Sequence, residues 1–147
     1  MNDASLPIGT IHQIRDTCLC LATQRAARRL ARRFDRLFAP LGITNGQFSF
    51  MVALAGQWKP RLGELADFLA MDQTTMTAAV KTLEKRGLVI LQSDKADARV
   101  RRPALTLAGR EITTSAAQLW QREHAILQEE FARRDSVDLA QRLGELG

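Results

Sequence analysis

The side chains able to do chemistry fall into four small groups. Cys18 and Cys20 are the only thiols, and His12 and His124 the only imidazoles. Six arginines, Arg25, Arg28, Arg29, Arg32, Arg33 and Arg36, crowd one stretch, and a charged run from Gln92 to Arg102 holds Asp94, Lys95, Asp97, Arg99, Arg101 and Arg102. Neither histidine stands in a carboxylate–nucleophile pattern, and there is no phosphate loop or paired-carboxylate motif, so an enzyme is not expected. No pair among Cys18, Cys20, His12 and His124 has the spacing of a closed metal site, and no cofactor is implied. Two thiols two residues apart on a helix point about 200° apart, so Cys18 and Cys20 cannot bond to each other there. Buried structural cysteine is the expectation, with a single reactive thiol as the alternative.

The basic groups are more informative. The chain of 147 residues carries a net charge of +5, distributed as +4 over residues 1–40, 0 over 41–58, +4 over 59–110 and −3 over 111–147. That asymmetry suggests a polyanion facing part of the molecule. On a helix Arg25, Arg29, Arg32 and Arg36 share one face, broadened by Arg28 and Arg33. They could meet phosphate, an anionic effector or the acidic C-terminal segment of a second copy, or form a solvated face with local partners such as Asp35.

These residues need elements to hold them. A length near 150 and 46% hydrophobic residues argue for one compact domain, or two small lobes sharing a core. Met1 to Pro7 has no apolar run, and the uncharged stretch Leu37–Trp58 is broken by Pro40, Gly42, Asn45 and Gly46. A soluble, cytoplasmic protein with no membrane partner is expected. Helical periodicity runs from about Ile11 to Phe38, ended by Pro40 and Gly42. Thr44 is the expected N-cap of a second helix whose apolar face includes Phe48, Met51, Val52 and Leu54. A short helix over Leu62–Leu69, a turn at Ala70-Met71-Asp72 and a helix over Gln73–Arg86 make a helix-turn-helix, with Asp72 as N-cap and Gly87 at C′. Strands at Leu88–Leu91 and Pro103–Leu107, joined by the charged run, make a wing. Pro103 is acceptable only at an edge. A helix from Ala108 to Arg133 and a short one over about Ser136–Leu146 follow.

The order Leu62-x-x-Leu65-Ala66-x-x-Leu69, Met71-Asp72, Thr74-x-x-Thr77-x-x-Val80-x-x-Leu83-Glu84-Lys85-Arg86-Gly87-Leu88-Val89, Asp97-x-Arg99 and Leu105-Thr106-x-x-Gly109 has a physical logic. One helix braces a second, which offers short polar side chains to a DNA major groove while the basic hairpin reaches an adjacent minor groove. The stretch resembles the winged-helix core of the MarR family of bacterial transcriptional regulators, and the likeness extends over roughly residues 10–145.

The resemblance implies a mainly α fold: a winged helix-turn-helix at 41–108, flanked by an N-terminal dimerisation helix at 1–40 and C-terminal dimerisation helices at 109–147. It implies a homodimer on a palindromic double-stranded DNA operator. The matching recognition positions are Gln73, Thr74, Thr75, Thr77 and Ala78, with Lys81 a turn further. Ala78 stands where a long basic side chain is common; alanine can pack on a thymine methyl but cannot hydrogen-bond guanine. Arg99 matches the wing arginine, and Lys95, Arg101 and Arg102 are expected on phosphates. Peroxide-sensing members keep a cysteine that aligns with Thr17 and is supported by tyrosines; this chain has no tyrosine. The expected function is a dimeric repressor, released if a small-molecule effector changes the spacing of its lobes. Phe48, Phe50, Met51, Trp58 and Trp120 are candidate walls for that effector, or ordinary core. Two other classes stay open: a redox or soft-metal sensor using Cys18 and Cys20, and a protein-interaction module on a degenerate winged helix.

Overall fold

The computed structural model describes residues 5–133 and Leu143. The expected last helix, about Ser136–Leu146, lies outside that continuous range. Among the residues of that continuous range, six helices and one hairpin occur in the order α1 (Ile8–Thr17), α2 (Leu19–Phe38), a 3-10 turn (Ala39–Leu41), α3 (Asn45–Ala55), α4 (Leu62–Phe68), α5 (Gln73–Lys85), β1 (Val89–Ser93), β2 (Arg101–Leu105) and α6 (Leu107–Ala132).

The first helix is not continuous. Cys18 adopts extended backbone (φ −71°, ψ 109°), ending α1 and capping α2, where its Sγ accepts the Leu21 N–H at 3.5 Å. The expected single helix from Ile11 to Phe38 is therefore two. Cys18 is half-buried and Cys20 exposed, so neither is the buried structural cysteine expected from sequence.

The other boundaries follow their caps. Thr44 Oγ1 accepts the Gln47 N–H while Gln47 Oε1 accepts the Thr44 N–H, a reciprocal box that starts α3. Gly42 (φ 69°) and Gly87 (φ 70°) supply the left-handed residues that close the 3-10 turn after α2 and follow α5. Thr106 starts α6: its Oγ1 accepts the Gly109 N–H at 3.0 Å and donates to the Gly87 carbonyl at 2.7 Å.

One core joins the elements. Phe34 and Phe38 of α2 meet Phe48, Phe50, Met51 and Leu54 of α3, and Leu65, Met76, Val80 and Leu83 continue it beneath α4 and α5. Ala116 and Leu127 bring in α6. Val52, expected in the core, is 45% exposed, while Phe50 is 2% exposed. A single-stripe reading of α3 misses this because α2, β2 and α6 all pack on the helix. The strands are antiparallel, with Val89 opposite Leu105 and Ser93 opposite Arg101. Both are edges of a two-stranded sheet, so Pro103, opposite Leu91, removes no central ladder bond. The second strand begins at Arg101 rather than Pro103, which leaves a shorter loop than the sequence suggests, and Leu107 already belongs to α6.

Candidate nucleic-acid interface

The presentation of α5 begins with its cap. Asp72 Oδ1 accepts the Thr75 N–H at 2.8 Å and Oδ2 accepts the Thr75 hydroxyl at 2.6 Å, which lowers the Asp72 pKa. Ala70, at φ 51°, makes the sharp reversal from α4. With Met76, Val80 and Leu83 buried, the opposite side of α5 is fixed toward solvent. Gln73, Thr74, Thr77, Ala78 and Lys81 line one open concavity of about 410 Å³. The exposed Thr77 donates its hydroxyl proton to the Gln73 carbonyl at 2.8 Å. Thr75 differs from its neighbours. Its hydroxyl proton belongs to Asp72, and it borders another depression, of about 330 Å³, shared with Thr44, Gly46, Gln47 and Met71. Five of the six expected helix positions thus share one concavity, and the sixth is part of the cap.

The wing is built from an acidic residue. The Asp94 N–H donates to the Val100 carbonyl at 2.9 Å, closing the loop at the end of β1. Asp94 Oδ1 accepts the N–H groups of Ala96 at 2.8 Å and Asp97 at 3.2 Å. Asp97 Oδ1 then accepts the Arg99 N–H at 3.0 Å. Lys95, Arg99 and Arg101 are exposed, with Arg101 also donating to the Leu91 carbonyl at 3.3 Å. Arg102 is turned inward, onto Asp94 and the Lys59 carbonyl, with a side chain 26% exposed. It was expected to face phosphate; its Nε and Nη1 are directed at groups of its own chain. Nothing local in the sequence announces this, because Lys59 lies 43 residues away.

The remaining groups do not converge. Arg33 pairs with Glu123 and Glu130 of α6. Arg25, Arg29, Arg32 and Arg36 form no ion pair among the described residues, and Asp35 accepts the Asn45 N–H at 2.7 Å rather than serving an arginine. Phe48, Phe50 and Met51 are buried core side chains, and Phe50 also borders the depression beside Thr75. Trp58 packs edge-on against Phe68 and Trp120 stacks on His124, so the two tryptophans serve different partners. Among the described residues no group of three His, Cys, Asp or Glu side chains is placed to hold a metal ion. No single described helix is long and apolar enough to cross a membrane.

A braced helix-turn-helix followed by a two-stranded wing defines a winged-helix protein. Comparison with known proteins narrows the class. The family model described as MarR family matches residues 43–100. The solved structure of the M. tuberculosis transcriptional regulator MosR in complex with DNA is 33% identical, with 88% of this chain and 98% of that chain covered and a TM-score of 0.70. The transcriptional repressor CouR, bound to a 23-mer DNA duplex, is 26% identical over 97% of this chain and 99% of that one, with a TM-score of 0.80. The fold also matches a mutant of MarR from E. coli complexed with operator DNA, at 22% identity, 91% and 94% coverage and a TM-score of 0.74. No curated protein matches by sequence. The chain belongs to the MarR family of winged-helix transcriptional regulators.

Proposed function

We propose that this protein is a sequence-specific, cytoplasmic DNA-binding regulator that acts as a homodimer on a palindromic operator. In its simplest form it is a repressor released by a small-molecule effector. The observation that carries the reading is the outward row Gln73, Thr74, Thr77, Ala78 and Lys81 on the face of α5 opposite its buried side. In this reading α5 enters the major groove. Gln73 and the threonines read base edges, Ala78 packs on a thymine methyl, and Lys81 approaches a phosphate. Lys95 and Arg101 contact phosphates from the wing, and Arg99 enters the neighbouring minor groove. Thr75 acts through the cap, holding the first turn of α5.

Support for the homodimer comes from α1, which buries nothing in the protomer although Ile8, Ile11 and Ile14 are 67%, 45% and 50% exposed. The domain reading is accordingly that residues 1–40 and 109–147 serve dimerisation and 41–108 serve DNA. The relatives described as DNA-bound, MosR and CouR, support the same reading. Selection of bound sequences from a random DNA pool tests it directly, repeated with candidate small molecules. A palindrome with half-sites about one helical turn apart is expected. Recovery of no preferred sequence, or binding that does not weaken with salt, would overturn it.

One observation favours a second reading, a thiol-based sensor. The break between α1 and α2 falls at Cys18 and leaves Cys20 exposed. Replacing both with alanine should abolish any response of DNA binding to oxidant or soft metal; an unchanged response removes this reading.

A further inference from the structure

We propose that Arg102 is a positioning residue of the wing, a latch that ties the wing root to the helix-turn-helix and thereby sets where Arg99 stands relative to α5. This rests on the DNA-binding reading above and goes beyond it. Arg102 contacts three separate parts of the chain. Its Nε donates to Asp94 Oδ2 at 2.5 Å, its Nη1 donates to the Lys59 carbonyl between α3 and α4, and the same Nη1 lies 3.9 Å from Glu64 Oε2 in the first turn of α4. Glu64 Oε2 in turn accepts the Arg61 N–H at 2.6 Å, so the far end of the latch is itself pinned.

From Asp94 the connection continues to the tip. The carboxylate that receives Arg102 on one oxygen holds Ala96 and Asp97 on the other, and Asp97 holds the Arg99 N–H. A continuous series of hydrogen bonds therefore runs from the Lys59 carbonyl, between α3 and α4, to the backbone N–H of the wing arginine. Arg102 is suited to it because a planar guanidinium can bond in two directions at once, which a lysine ammonium on a flexible stem does not reproduce. Burial agrees: the Arg102 and Asp94 side chains are 26% and 15% exposed, while Lys95, Arg99 and Arg101 are open to solvent.

The Arg102 guanidinium and then the Ala96 N–H hold the Asp94 carboxyl down to about 2. A carboxyl lowered in the folded state contributes fully above its ordinary value of 3.8 and fades as pH falls through about 2, so the latch is constant across the neutral range.

The latch opposes simple electrostatics at Asp94. Removing a negative charge from a DNA-facing loop should tighten binding to a polyanion; breaking a latch should weaken it. The experiment compares Asp94→Asn, Arg102→Gln, Arg102→Lys and the Asp94→Asn/Arg102→Gln pair. It measures affinity for the selected operator across a salt series, and amide hydrogen exchange at Ala96 and Arg99 in the DNA-free protein. Each single variant is expected to bind about tenfold more weakly with an unchanged salt slope, the pair no more weakly than either single, and both amides to exchange faster. Tighter or unchanged binding by Asp94→Asn overturns the latch. So does a salt slope lowered by about one in Arg102→Gln with near-normal binding by Arg102→Lys, the signature of a phosphate contact. If the wild-type protein binds no DNA, the proposed function falls and exchange alone decides: unchanged protection at Ala96 and Arg99 then overturns the latch.

Discussion

At the scale of single residues, the structure separates side chains that hold the interface from those free to touch a ligand. Asp72 is of the first kind, and its lowered pKa gives stability a pH dependence with a definite sign. The contribution is complete above the ordinary value of 3.8 and is lost as pH falls through the lower folded value. Asp72→Ala should lower the melting temperature at neutral pH by about 2–4 °C, the effect expected of a lost cap in a domain of this size. The difference from wild type should shrink on acidification, and thermal scans from pH 7 to pH 2 measure it. Arg99 is of the second kind, with an exposed side chain and a fixed backbone N–H. Arg99→Ala should weaken operator binding about tenfold or more without changing the melting temperature. Arg133→Ala, at the end of α6, should leave binding unchanged; equal losses in a fluorescence titration would remove the wing assignment. The arginine run shows why residue type alone was ambiguous. Arg33 and Arg102 carry the same group as Arg99, yet each is engaged by partners distant in sequence.

At the scale of elements, local signals decided what the sequence could reveal. Thr44 and Asp72 cap helices within three residues of themselves, Gly42 closes the 3-10 turn after α2 and Gly87 follows α5 with positive φ, so α3, α5 and the start of the wing were legible, although the cap at Thr106 was read as strand. The break at Cys18 was not, because no Pro or Gly stands between Gln13 and Leu21 to announce it. The apolar stripe expected for α3 left out Phe50, which was read as effector wall or ordinary core, for another reason: several elements surround α3, and no periodicity encodes a second contact face. The junction of wing and α6 is the tightest approach. A Cβ on Gly109 would come within 2.1 Å of the Leu88 carbonyl oxygen, which itself accepts the Thr106 N–H at 3.1 Å. Gly109→Ala must therefore push α6 away from the start of β1, at a cost of about 1–3 kcal/mol. Chemical denaturation should show that loss, and DNA binding at low temperature should weaken with it as the wing shifts.

At the scale of the whole molecule, charge and exposed apolar surface make separable demands. The +4 of residues 59–110 includes the exposed wing cations and Lys81, whereas the +4 of residues 1–40 lies largely on α2, part of it tied by Arg33 to Glu123 and Glu130. If only the first set meets DNA, the dependence of affinity on salt should reflect the wing and α5 alone. Replacing Arg25 and Arg29 together with glutamine should then leave the salt slope unchanged, while Lys95→Gln with Arg101→Gln should lower it by up to about two. The apolar surface calls for a different measurement. Ile8, Ile11 and Ile14 on α1, with Ile126 at 49% exposure near the end of α6, leave a protomer with apolar surface at both ends of the described chain. Such surface is stabilised by association, and folding linked to association makes the melting temperature rise with protein concentration. Sedimentation should give twice the 16.4 kDa chain mass, and Ile11→Glu with Ile14→Glu should shift the equilibrium toward monomer. The same double variant should lose affinity for the full palindrome far more than for a half-site, because its intact winged helix no longer gains from a linked second copy. Equal losses on both DNAs would mean that α1 acts on the winged helix itself rather than on dimerisation.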